Sequence, residues 1–156
     1  MRRRHMIFLT LGLVGLAVGG LNPPCRSAEI IARNGTLVKY DTGLVQDSAS
    51  GLEWYPGPDQ GMSWAEARQW VVGLDVLGGG WRMPTRSELR TLFRIGDGVR
   101  NITPLLVNSG YWLWAGQSPD SADRWLFGFS YGGEGWSGQA PPGGGRAIAV
   151  RKAAGR

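Results

Sequence analysis

The sequence is almost without cysteine and histidine. Its 156 residues include one of each, Cys25 and His5, and both lie within the first 28 residues. The rest of the chain therefore cannot form an internal disulfide or a His/Cys zinc site, and it cannot hold a Ser–His or Cys–His nucleophile pair. Carboxylate catalysis and metal sites with oxygen ligands are the chemistries that this shortage leaves open.

Long apolar runs are also scarce. The run from Met6 to Val18 is too short to span a bilayer comfortably, and Arg2 to Arg4 precede it. Basic residues, a short apolar stretch and then small residues predict a secretory signal peptide over residues 1–28. The alternative is an uncleaved leader, which would be the chain's contact with a membrane. We therefore expect a periplasmic or secreted protein with a single domain over residues 29–156.

The positive charge belongs largely to this leader. Four of the 17 Lys and Arg residues lie in it, whereas all 12 Asp and Glu residues lie beyond it. The mature domain then carries a charge of about +1, which gives no argument for a nucleic-acid partner.

Two capping boxes mark the starts of two short helices. In each, a Ser or Thr and a Glu three positions later cap each other's backbone N–H, beginning at Ser63 and at Thr85. They predict helices over about 63–74 and 86–93. A short strand at Trp81 precedes the second helix.

Alternating apolar positions and turn formers predict the strands. These are residues 36–40, 52–54, 111–115, 124–130 and 147–151. In the fourth strand, Trp125, Phe127 and Phe129 share one face. Residues 131–145 contain seven glycines and two prolines, which favours a long loop. Two short helices with antiparallel strands and long loops indicate an α+β fold.

The order of these pieces resembles the Lcl C-terminal domain family, small bacterial domains of C-type-lectin-like fold. The resemblance spans roughly residues 40–151. The segments that carry it are Gly51–Trp54, Ser63–Ala67, Gly80–Leu89, Tyr111–Trp112 and Ala149–Arg151. It implies paired first and last strands, binding surfaces built from long loops, export, and, in adhesin members, recognition of sulfated glycans.

The chain also departs from the family's pattern. Many relatives carry a cysteine on the first helix and another in the last strand, where this chain has Val71 and Ala149. We expect apolar packing there in place of a disulfide, whose loss costs about 2–5 kcal/mol in a small exported domain. A core containing five of the tryptophans is expected to compensate. Those residues are Trp54, Trp64, Trp81, Trp112 and Trp125. The calcium motifs of C-type lectins are missing, so we expect no calcium and no other cofactor.

Arginines recur every four residues on the second helix. Arg86, Arg90 and Arg94 would form one ridge, able to bind sulfate or carboxylate groups through paired hydrogen bonds. The alternative is a solvated face that is partly neutralised by Glu88 and Asp97.

The loops supply the remaining candidate ligand-binding residues. Trp136 stands among glycines, where its ring either contacts a sugar face or a protein partner, or folds back onto the core. Tyr131 and Glu134 lie in the same predicted loop, and Asp123 and Arg124 lie in a second predicted loop over residues 120–124.

Carboxylates near the loop ends leave an enzymatic alternative open. Asp120, Asp123 and Glu134 would be the ligands of a calcium ion or the catalytic groups of a hydrolase acting on envelope polysaccharide, but solvated turn residues are the simpler interpretation. The sequence thus favours a calcium-independent, non-catalytic binding domain for a glycan or a cell-envelope protein. A hydrolase and a structural subunit of an envelope assembly are the alternatives.

Overall fold

The chain folds into two antiparallel sheets, two α-helices and a single 3₁₀ turn in the part that the structure describes. The structure is a computed structural model and describes residues 27–98, 100–106, 108–116, 124–136 and 144–154. This confirms the α+β class. Most of the predicted leader lies outside these ranges. Within them, no helix is both long enough and apolar enough to cross a membrane.

The larger sheet has five strands in the order β1-β2-β3-β4-β8. The strands are β1 (Ile30–Asn34), β2 (Leu37–Tyr40), β3 (Val45–Asp47), β4 (Leu52–Pro56) and β8 (Ile148–Lys152). The implied pairing of first and last strands is wrong, because β1 pairs with β2 and the last strand pairs with β4. Strands β1 to β4 are joined by short turns and lie side by side. The free edge of β4 therefore remains for β8, which pairs there when the chain returns.

The sequence prediction missed β1 and β3. The side chains of β1 are mostly exposed and β3 has three residues, so neither strand shows a clear apolar alternation. Strand β4 runs beyond the predicted 52–54, because Tyr55 and Pro56 pair with Ala149 and Ile148 of β8.

The predicted strand at Trp81 is reduced to one bridge. The backbone groups of Arg82 and Val150 exchange two hydrogen bonds, of 3.0 and 2.9 Å. Pro84 has no N–H to donate, so the ladder does not extend toward the second helix.

The smaller sheet has the order β5-β6-β7 and comprises β5 (Trp112–Trp114), β6 (Trp125–Gly128) and β7 (Gly133–Trp136). Strand β7 corrects the prediction of a continuous loop over residues 131–145. Its two glycines hide the alternation of Glu134 and Trp136, which becomes regular only when β7 pairs with β6. Residues 137–143 of the predicted loop lie outside the described ranges.

Both capping boxes are confirmed. The helix α1 (Trp64–Val72) begins after Ser63, whose backbone N–H donates to Glu66 at 2.7 Å. The helix α2 (Arg86–Thr91) begins after Thr85 in the same way. Both helices end about two residues earlier than predicted.

The main core cluster combines many aliphatic side chains with a few large aromatic ones. Trp54, Phe127 and Phe129 are fully buried together with Leu89 of α2. Of the five tryptophans predicted as core, Trp54 and Trp81 are buried, and the other three are half-buried against the apolar clusters.

Val71 and Ala149 occupy one buried cluster with Trp81. This agrees with the expectation of apolar packing at the positions where relatives carry cysteines. The contact joins α1 to β8 without a covalent link.

Arg151 ties β8 to two other parts of the chain. Its Nε donates to Glu53 at 2.7 Å, and its Nη1 donates to the carbonyl oxygens of Leu77 and Gly79. The guanidinium carbon also lies 4.2 Å from the ring centroid of Trp81. The Arg151 and Glu53 side chains are only 18% and 12% exposed, so the pair is largely shielded from water.

Replacing Arg151 with Met should lower the free energy of unfolding by about 2–3 kcal/mol. The change leaves a nearly buried carboxylate and two carbonyl groups without their donor, a smaller loss than for a fully buried pair. Urea unfolding followed by circular dichroism measures the effect. The double variant Arg151→Met/Glu53→Gln should recover part of the loss, and a single variant as stable as the native chain would contradict this role.

Candidate functional site

The register of the small sheet brings four side chains to the face covered by α2. Trp125 and Phe127 of β6 face that helix, since arginines of α2 lie over their rings. The register places Trp136 and Glu134 of β7 directly opposite them, so all four side chains share one face. Residues of β7 that appear isolated in the sequence are therefore neighbours of the α2 arginines.

Glu134 bridges two arginines of α2. Its Oε2 accepts a hydrogen bond from Arg86 Nη1 and its Oε1 accepts one from Arg90 Nη2, both at 2.8 Å. The two arginines are four residues apart and so lie on the same side of the helix. The Arg90 hydrogen bond, with the charge of Arg86, holds the pKa of Glu134 below its usual value. The side chain of Glu134 is 25% exposed, so a solvent molecule or ligand can still reach it.

The same arginines lie over aromatic rings of β6. The guanidinium carbon of Arg86 is 4.2 Å from the Trp125 ring centroid, and that of Arg90 is 5.9 Å from Phe127. Trp136, directly opposite Trp125 in the sheet, is 50% exposed. We refer to Arg86, Arg90, Trp125, Glu134 and Trp136 as the arginine–tryptophan surface.

This surface offers hydrogen-bond donors and acceptors beside an indole ring. Each guanidinium has five N–H donors and uses one of them on Glu134, and each carboxylate oxygen has a second lone pair. The ion pairs hold these groups in one arrangement, so a ligand does not have to order them when it binds.

Three of the eight predicted ligand-binding residues lie outside the arginine–tryptophan surface. Tyr131 packs edge-on against Trp112, on the opposite face of the small sheet. A Cβ at Gly133 would collide with the Tyr131 ring, so a larger residue there would displace the ring. Tyr131 is therefore excluded from the arginine–tryptophan surface.

Two arginines are also displaced from the predicted site. Arg124 is exposed and its guanidinium carbon lies 5.4 Å from the ring centroid of Trp64 at the start of α1. Arg94 follows the end of α2 and lies beside Gly35, so the predicted ridge of three arginines has only two members. Asp123, like Asp120, lies outside the described residues.

The predicted neutralising partners are also wrong. Glu88 pairs with Arg82 through two hydrogen bonds, and Asp97 accepts one from Asn34. Neither carboxylate pairs with Arg86 or Arg90, whose charge is partly offset by Glu134 of β7. Sequence reasoning placed Glu134 in a loop and Trp125 only in the core. The alternation of Glu134 and Trp136 is the signal that could have predicted a strand there and so placed Glu134 near Trp125.

The surroundings of Glu134 oppose one of the roles that a hydrolase could give it. Two arginines stabilise its ionised form, which opposes the role of a proton donor near neutral pH. In the described ranges, no group of three or more His, Cys, Asp and Glu side chains could hold a metal ion.

Comparison with known proteins identifies a family. The family model of the Lcl C-terminal domain matches residues 43–151. No curated protein and no solved structure matches the chain significantly. The match confirms the resemblance drawn from the sequence motifs.

Replacing Glu134 with Gln should reduce stability near neutral pH by at most about 1 kcal/mol, as is typical of partly exposed ion pairs. The carboxylate has a lower pKa in the folded than in the unfolded chain. The stabilisation from its ion pairs is therefore complete above the pKa that Glu134 has in the unfolded chain. It disappears as the pH falls through the pKa of the folded chain, which lies below the usual value of 4.5.

The measurement is the urea midpoint of the native chain and of the Gln variant at several pH values from about 7 to about 3. Other carboxylates titrate in both proteins, so the difference isolates Glu134. A difference that does not shrink on acidification would contradict the assignment.

Proposed function

The chain belongs to the Lcl C-terminal domain family, and from this premise we propose that it is an exported, non-catalytic binding domain whose arginine–tryptophan surface recognises a glycan. Its binding would be independent of calcium. A glycan is favoured over a protein partner because the surface combines one exposed indole ring with several hydrogen-bonding groups.

The observation that carries the proposal is the position of Trp136 beside the bridged arginines. A sugar ring has an apolar C–H face and a rim of hydroxyl groups. The half-exposed ring of Trp136 suits the apolar face. Arg86 and Arg90 donate, and Glu134 accepts, the hydrogen bonds that hydroxyl groups need.

The net charge of the surface affects which kind of glycan would bind. Two guanidinium groups and one carboxylate leave a single excess positive charge. An acidic or sulfated sugar would gain from this charge, but it would share the arginines with Glu134. We therefore expect that added salt weakens binding of an acidic glycan only modestly.

We also infer a C-type-lectin-like fold with altered strand pairing. The support is the combination of two short helices, two antiparallel sheets and a last strand that returns to the sheet of the N-terminal half. Pairing of that strand with β4 rather than with β1 is the departure.

Replacing Trp136 with Ala should weaken glycan binding at least about tenfold, the usual loss at an aromatic binding hot spot. A glycan array with the purified protein identifies a ligand, and titration of that ligand gives the affinities. Tyr111→Ala is the matched control, because Tyr111 is 49% exposed and lies outside the surface. No retained sugar, or equal affinity of the Trp136 variant, would refute the proposal.

Export predicts a mature chain that begins near residue 29, and we propose a periplasmic or secreted location on the basis of the N-terminal leader pattern. Cell fractionation followed by intact-mass measurement tests this. A chain that keeps Met1 and stays in the cytoplasmic fraction would contradict it. A chain that keeps Met1 in the membrane fraction would indicate the anchored alternative.

A further inference from the structure

A groove of about 440 Å³ lies between α1 and the segment from Trp81 to Thr85. This volume is within the range of small-molecule sites. The apolar side chains that line it are Trp64, Val71, Val72, Trp81 and Met83. None of them belongs to the arginine–tryptophan surface.

The groove presents aromatic and aliphatic carbon atoms to a ligand, because the indole N–H groups of its tryptophans are already hydrogen-bonded. Trp64 Nε1 already donates to the Ala115 carbonyl at 3.0 Å, and Trp81 Nε1 donates to the Val76 carbonyl at 2.8 Å. Thr85 is likewise engaged in the cap of α2. An apolar chain therefore suits the interior of the groove.

Positive charge without a compensating carboxylate lies at its rim. Arg82 is neutralised by Glu88 at 2.6 Å, but Arg68 lines the groove and has no carboxylate partner among the described residues. Its guanidinium carbon is 6.0 Å from the Trp64 ring centroid, and that of Arg124 is 5.4 Å from the same ring. Arg68 therefore places a guanidinium group without a carboxylate partner in the described ranges at the rim of an apolar groove, and Arg124 lies near the same ring.

We propose that this groove binds an amphiphilic anion, a molecule with an unbranched hydrocarbon chain and one terminal carboxylate. The hydrocarbon chain covers Trp81, Met83 and Val71, and the carboxylate pairs with Arg68. The requirement for a charge follows from the guanidinium group of Arg68, and the requirement for a hydrocarbon chain follows from the apolar lining. This site is separate from the proposed glycan site and does not depend on it.

Titration of the purified chain with decanoate, octanoate and decanol tests both requirements. Trp64 and Trp81 line the groove, so tryptophan fluorescence reports binding, and calorimetry confirms the stoichiometry. Because each buried methylene strengthens binding roughly fourfold, octanoate, which is two methylenes shorter, should bind about fifteenfold more weakly than decanoate. Decanol should also bind at least about tenfold more weakly, since it lacks the charge.

Two variants test whether the ligand binds in the groove. Arg68→Gln should weaken decanoate binding about tenfold and leave decanol binding unchanged. Val72→Glu should weaken decanoate binding by repulsion at the rim, and because Val72 is 71% exposed the change spares the core. Arg100→Gln is the control, because Arg100 also lies over an aromatic ring, that of Tyr111, but outside the groove.

The proposal fails if decanoate shows no saturable binding, or if decanol binds as tightly as decanoate. It also fails if Arg68→Gln and Arg100→Gln bind decanoate equally. These readouts do not involve a sugar, so failure of the glycan proposal and failure of this one are distinguishable.

Discussion

The antiparallel pairing of β8 with β4 is the interaction on which the rest of the described structure depends. It attaches the end of the chain to the far edge of the β1–β4 sheet, and β8 then meets the Trp81 segment, α1 and the 3₁₀ turn. Just before β8, Arg146 exchanges two backbone hydrogen bonds with β5. One short stretch of chain therefore joins the two sheets, and the small sheet is positioned through it.

Arginine–carboxylate pairs hold together parts of the chain that are distant in sequence. Arg151 reaches Glu53, Arg146 reaches Asp59, and both α2 arginines reach Glu134. Partly exposed pairs of this kind contribute little each, up to about 1 kcal/mol, and the shielded Arg151 pair contributes more. Together with the buried aromatic rings, these pairs provide tertiary connections in the part of the chain that the structure describes.

The two candidate ligand surfaces differ in how their charge is compensated. On the arginine–tryptophan surface, Glu134 orders the two guanidinium groups and offsets half of their positive charge, which suits hydroxyl groups. At the groove, Arg68 and Arg124 lie beside Trp64 without such a partner in the described ranges, which suits an anion. Identical residue types thus favour different ligands, because the neighbouring carboxylate is present in one place and not in the other.

Interactions between near neighbours made part of this structure predictable. Each capping box spans three residues, so both helix starts follow from the sequence, and the period-2 alternation placed Trp125, Phe127 and Phe129 on one face. The α+β class and the family follow from the order of such local patterns. The helix ends were less predictable, and for that reason Arg94 was assigned to a ridge that it does not join.

The arrangement of the candidate site depends on contacts that no local pattern encodes. Glu134 meets Arg86 and Arg90 across 48 and 44 residues of sequence, and β7 becomes a strand only because β6 supplies its partner. Composition made residues 131–145 look like a loop, since glycine carries no side chain whose alternation could be seen. Local hydrogen bonds join residues a few positions apart, so the sequence alone determines them. The partner of a strand or of a charged side chain can be distant in sequence, so only the tertiary structure decides it.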